Sequence, residues 1–146
     1  MNAKCLHTSG NLLPIQKSLD WINMIKMALR TGKLVDLENL DNNDINIEDI
    51  AHALSMQCRY NSKVKKFYSV AEHSVILTRY ARDELNASVK MQKTLLLHDA
   101  GEAFCGDVIY HLKQRLPEFR DLEDKVISQI FKKFGLSYQE AETHCG

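Results

Sequence analysis

The segment LLLHDAGEAFCGD, residues 95–107, carries an adjacent histidine and aspartate, His98 and Asp99, at the end of an apolar run. An ionised carboxylate beside an imidazole makes a poor core element, because buried charges need a counter-charge or a metal. A second histidine, His73, stands one expected helix earlier in YSVAEHSV. Two imidazoles and one carboxylate are the mixed nitrogen and oxygen donors of a divalent transition metal. Glu102 follows His98 by four residues and Asp99 by three, so on a continuing helix it projects over the same place. A carboxylate there can hold or deprotonate a water that a cation has acidified. Asp107, after the Gly106 turn, is a second candidate for orienting water or substrate. Taken singly, each residue has a plainer reading: a hydrogen-bonded core histidine, or a solvated charge at a helix end.

Convergence is what separates the two readings, and it depends on the helices. Only two prolines and six glycines interrupt the chain, so long helices are permitted. Residues 1–13 read as a loose leader. A first helix is expected over about 18–30, with Trp21, Ile22, Ile25 and Leu29 on one face and Gly32 as its stop. An acidic, Asn-rich connection, LVDLENLDNNDI, follows. Asn46 then caps a helix running to about Arg59, whose inward stripe is Ile50, Ala51, Leu54 and Cys58. Ser69 caps the next, about 70–85, with Val70, His73, Leu77, Tyr80 and Ala81 on its inward face. Residues 87–99 align Met91, Leu95 and His98, and a last helix spans about 118–134 and stops at Gly135. Strand-type alternation is nearly absent. The expectation is an all-α, single compact domain of five to six helices, in which consecutive helices bring His73 and His98 together.

Composition narrows the function. Nineteen basic residues balance nineteen acidic ones, so no global field favours a nucleic acid polymer or a membrane. The run RYNSKVKKF places Arg59, Lys63, Lys65 and Lys66 just upstream of His73, a local rim suited to phosphate. Arg59 is the best single phosphate clamp, because its planar fork binds oxygens bidentately, and Tyr60 beside it can stack or pack. This basic cluster is a short loop rather than a recognition helix, which argues against a helix-turn-helix DNA binder. Four scattered cysteines, with no signal-peptide pattern and no apolar run of membrane length, read as reduced thiols in a cytoplasmic protein.

The ordered set Arg59, His73, His98–Asp99, Glu102 and Asp107 resembles the HD-domain metal-dependent phosphohydrolases, closest to small bacterial and phage-type 5′-deoxynucleotidase-like members. The resemblance spans about residues 31–135. It implies an all-helical fold in which His73, His98 and Asp99 ligate a divalent ion, such as manganese, cobalt, magnesium, zinc or iron. It further implies that Glu102 and Asp107 position or activate the attacking water. Arg59 takes the place of an arginine that contacts substrate phosphate, and Tyr60 that of an aromatic near the sugar or base. The substrate class implied is a small-molecule nucleotide, either a nucleoside 5′-monophosphate or a deoxynucleoside triphosphate. Family members often act as homodimers.

One element of the family pattern is not matched. The family draws a fourth ligand, an aspartate, from a helix beyond the one expected to end near Gly135. No residue up to Gly146 corresponds to it, and the spacing of Glu140, Glu142 and His144 does not recommend them. Asp121 and Asp124 are expected to face solvent. Three options follow: a truncated chain, a ligand lent by a partner subunit, or three ligands with extra water. The leading expectation is hydrolysis of a nucleotide phosphoester by activated water. The alternative is a degenerate relative that binds metal or nucleotide without turnover, and a third reading is a plain helical interaction module.

Overall fold

The computed structural model describes residues 25–138. It opens with an antiparallel hairpin of two short strands, β1 (Lys26–Ala28) and β2 (Leu34–Asp36), in which Met27 pairs with Val35. Helices α1 (Ile47–Met56), α2 (Val70–Asp83), α3 (Val89–Leu97), α4 (Glu102–Cys105), α5 (Tyr110–Lys113) and α6 (Pro117–Lys133) follow. The protein is all-α as its sequence suggests, and this hairpin is the only sheet among the described residues.

The hairpin corrects the expected first helix. Residues 18–24 and the leader 1–13 lie outside the described residues, but 25–30 form a strand and a turn. The side chains alternate there: Met27 and Leu29 pack on the core while Ala28 is exposed, and Val35 and Leu37 are buried across from them. Period-two burial is the mark of a strand. Gly32 does punctuate the chain, though as a hairpin turn with φ +83° whose N–H donates to the Leu29 carbonyl at 2.8 Å. Helix ends and such turns both call for positive φ, so the residue alone does not tell them apart. The connection that follows is no passive linker, since Leu37, Leu40 and Ile45 are buried and Asp44 is held by Lys33.

Helix starts match their caps. The Asn46 side chain accepts from Glu48 N at 2.8 Å, Ser69 Oγ from Glu72 N at 3.0 Å, and Ser88 Oγ from Met91 N at 3.3 Å. Each satisfies an N–H that a helix leaves orphaned at its first turn. Helix α1 stops earlier than expected, at Met56. Gln57 turns extended, and residues 57–59 pair with the start of α2 through Arg59 N to Tyr68 O (2.9 Å) and Val70 N to Gln57 O (3.1 Å). Cys58 therefore sits in a β-bridge with Ser69, not on a helical stripe, and Ala51 is exposed. Tyr80, placed inward by periodicity, is also exposed.

The core is built around α6. Val126, Ile127, Ile130 and Phe131 are buried with Ile50, Leu54, Val70, Leu97, Ala100 and Phe104 from the other elements. Pro117 opens α6 at a position where its missing N–H costs nothing, and Gly135 at φ +69° ends it. Helices α2 and α3 pack on each other, and α1 packs on α2 and on α4. That arrangement delivers the C-terminal end of α3 to the N-terminal half of α2.

Ser69 is the cap nearest the histidine of interest and is itself buried. Replacement Ser69→Ala is expected to lower stability by about 1 kcal/mol. A shifted urea midpoint with an unchanged slope would confirm it, and an unaltered midpoint would show the cap to be idle.

Candidate metal and phosphoester site

Three side chains converge where α2 and the end of α3 meet. His73, His98 and Asp99 each offer a ligand atom, and these atoms lie within 4.8 Å of one another; no other such group occurs among the described residues. Asp99 Oδ2 is 3.1 Å from His98 Nε2 and 3.8 Å from His73 Nε2, and the two imidazole rings stand 5.3 Å apart. The sequence placed His98 inside a helix. It instead caps α3, and residues 98–101 continue as turns with Ala100 N to Leu97 O at 2.9 Å and Glu102 N to Asp99 O at 3.0 Å.

The hydrogen bonds fix the tautomer of His98. Its Nδ1 lies 2.6 Å from the Leu95 carbonyl, and a carbonyl can only accept, so Nδ1 carries the proton. Nε2 is left facing a carboxylate oxygen at 3.1 Å. Two lone pairs at that distance repel, so a proton or a cation must lie between them. Burial disfavours the charged ring, but the hydrogen bond and charge of Asp99 outweigh it and the His98 pKa rises. His73 goes the other way: burial, helped by the Arg59 charge, lowers its pKa and keeps it neutral. Its Nδ1 is 3.5 Å from Tyr68 Oη. Neutral imidazoles steadied at the far nitrogen are the state in which histidine ligates metal. The donor set thus fits a divalent ion held by His73, His98 and Asp99.

Arg59 does not stand open as a phosphate clamp. Its Nη1 donates to Asp99 Oδ2 at 2.9 Å, and its Nε is buried without a partner. The Tyr60 ring lies 5.5 Å from the guanidinium carbon, and Tyr60 is 55% exposed. Tyr60, Asn61 and Ser62 all adopt positive φ, at 56°, 50° and 61°. A left-handed turn of three non-glycine residues costs roughly 1–2 kcal/mol per residue. Lys63, Lys65 and Lys66 remain exposed, as a rim.

Glu102 is the unexpected element. Far from being a helix-end surface charge, it is 6% exposed, and its Oε2 is buried without a hydrogen-bond partner. Burial, with Asp99 and Asp107 nearby, pushes its pKa up to about 8. Lys113 opposes this from 3.8 Å, though it is held more closely by Glu123 at 2.8 Å. Asp107 is half-buried, and its charge is felt at His73, Arg59 and Glu102. A cavity of about 470 Å³ runs beside this group, bordered by His98, Asp99, Glu102, Tyr110, Lys113 and Tyr138. That volume suits a small-molecule ligand. Asp121 is exposed as expected, but Asp124 is half-buried and accepts from Tyr138 Oη at 2.8 Å. Glu140, Glu142 and His144 lie outside the described residues.

Four contributors escape a sequence reading: Gln57, Tyr68, Lys113 and Glu123. Only Gln57 left a signal. Two residues before Arg59, it shares a face with it once residues 57–59 are read as extended rather than helical.

A helical fold here brings two histidines and an aspartate to one point, beside the buried Glu102, the half-buried Asp107 and Arg59. Residues 54–144 match the HD domain family, and the chain belongs to that family. It is 36% identical over 106 residues to the uncharacterized protein YfdR of Escherichia coli K12, covering 73% of this chain and 56% of that protein. It is 34% identical over 110 residues to the uncharacterized protein RCAP_rcc00048 of Rhodobacter capsulatus, again covering 73% and 56%. The chain thus spans little more than half the length of these relatives. No helix among the described residues is long and apolar enough to cross a membrane.

The raised Glu102 pKa has a defined sign for stability. The folded state keeps the Glu102 proton to about pH 8, whereas the unfolded chain releases it near the ordinary 4.5. Folding therefore binds a proton in that window, and stability falls as pH rises through it. In chelator, urea midpoints should drop from pH 5 to pH 8.5, and less steeply in Glu102→Gln. Equal slopes in the two proteins would show that Glu102 is not the titrating group.

Proposed function

We propose that the protein hydrolyses a phosphoester of a small nucleotide, a nucleoside 5′-monophosphate or a deoxynucleoside triphosphate, with a divalent ion held by His73, His98 and Asp99. The observation that carries this reading is the 3.1 Å approach of His98 Nε2 to Asp99 Oδ2 with Nδ1 already committed to the Leu95 carbonyl. Such an approach wants a positive charge between the two atoms, and His73 supplies the third donor. When bound, a divalent ion supplies Lewis acidity toward phosphate and lowers the pKa of water.

The remaining work falls to side chains of this chain. Glu102, kept protonated to about pH 8 in the cation-free site, becomes a base as a neighbouring cation favours its ionised form. Its unpartnered Oε2 then has an open lone pair for the proton of an attacking water. Asp107 orients that water from the adjoining loop. With Nη1 on Asp99 and Nε buried, Arg59 offers a phosphate oxygen its remaining nitrogen, Nη2. Tyr60, against the guanidinium, backs Arg59 and presents a ring to the sugar or base. The cavity bordered by Tyr110, Lys113 and Tyr138 receives the nucleoside. A small nucleotide, rather than a polymer or a lipid surface, is the partner this pocket favours.

Purified protein with added manganese or cobalt should release inorganic phosphate or triphosphate from a nucleotide panel. Glu102→Gln should lower kcat by about 10²- to 10⁴-fold, the usual contribution of a general base. His98→Ala should abolish turnover and manganese binding together. Tight manganese binding without release from any nucleotide would instead establish the non-catalytic alternative. Because binding displaces the His98 proton, manganese affinity should weaken by about tenfold per pH unit below that group's pKa. Calorimetry in buffers of differing ionisation enthalpy reads the released proton directly.

A further inference from the structure

The acids assigned to the attacking water sit on a weakly self-supported stretch. Helix α4 has only four residues, Gly106 follows at φ +83°, and residues 106–109 belong to no helix or strand. Something outside this stretch must fix where Glu102 and Asp107 point. The carboxamide of Gln57 is bonded to both ends. Its Nε2 donates to the Glu102 carbonyl at 2.9 Å, and its Oε1 accepts from Asp107 N–H at 3.1 Å. These contacts bridge 45 and 50 residues of sequence. A carbonyl needs a donor and an amide an acceptor, and a carboxamide offers both at one tip.

The backbone of Gln57 is anchored in turn. Its carbonyl accepts from Val70 N at 3.1 Å, at the first residue of the helix that carries His73. Two residues on, in the same extended segment, Arg59 donates to Asp99 at 2.9 Å. Alternate residues of an extended segment share a face. Gln57 and Arg59 therefore act as two teeth of one clamp, one on the Glu102–Asp107 loop and the other on the metal-binding aspartate.

We propose that Gln57 is a positioning residue, whose carboxamide sets Glu102 and Asp107 in register with Arg59 and the histidine cluster. The proposal rests on the reading of Glu102 and Asp107 as the groups that steer water. Gln57→Met keeps the length and removes both hydrogen bonds. Gln57→Glu keeps the acceptor for Asp107 N–H and removes the donor to the Glu102 carbonyl.

With manganese and the best nucleoside 5′-monophosphate of the panel, Gln57→Met should lower kcat by about 10- to 100-fold while KM and manganese affinity stay near those of the unsubstituted protein. Amide exchange at Asp107 should accelerate by about tenfold, as expected for one lost hydrogen bond. Gln57→Glu should keep slow exchange at Asp107 yet still lower kcat, because its carboxylate oxygen faces the Glu102 carbonyl without a proton between them. Unchanged kcat and exchange in Gln57→Met would overturn the proposal. So would a loss of manganese affinity and melting temperature in step with kcat, which marks a general structural role. Absence of turnover in the unsubstituted protein would defeat the hydrolase reading, and exchange at Asp107 would then decide the clamp alone.

Discussion

One carboxylate oxygen organises this molecule. Asp99 Oδ2 is approached by Arg59 at 2.9 Å, by His98 at 3.1 Å and by His73 at 3.8 Å, in a place with little exposure to water. A buried carboxylate pays a large desolvation cost unless several donors or a cation face it. Each of those partners comes from a different part of the chain: an extended segment, the cap of α3, and the first turns of α2. Asp99 can be satisfied only if these pieces pack in one way. The Leu95 carbonyl strengthens the constraint, because it takes the Nδ1 proton of His98 and so dictates which nitrogen faces Asp99.

The elements that serve this oxygen were legible where local chemistry decides structure. Asn46 and Ser69 side chains find N–H groups at helix starts whatever else the chain does, so the starts of α1 and α2 follow from the residues. His73 and His98 were brought together by counting helical positions on two adjoining helices, and the geometry agrees. Residues 25–36 and 57–59 resisted for a physical reason. Met27 and Leu29 are compatible with a helical stripe and with a strand face, and only pairing across Gly32 with Val35 chooses between them. Helix α1 likewise has no breaker at Met56. Its end is set by Arg59 and Gln57 pairing with Tyr68 and Val70, a non-local bond pattern that no window of sequence contains. Glu102 and Lys113 belong to the same category, for their meeting depends on α5 folding back onto α6.

The charge balance of the site gives its chemistry a direction. Among the described residues, Asp99, Glu102, Asp107 and Glu123 face two permanent cations, Arg59 and Lys113, so this group is acidic when every carboxylate is ionised. Without a further cation the protein relieves that excess with protons, one held by Glu102 and one drawn toward His98. For the proposed hydrolysis at neutral pH those protons stand in the way, since they occupy the lone pairs a base and a ligand need. A divalent ion, if held by His73, His98 and Asp99, would offset the same excess of negative charge. The acidic excess around Asp99 and Glu102 is thus also what would favour a doubly charged ion there. On the proposed reading, its binding would also favour the ionised form of Glu102, the nearest buried acid.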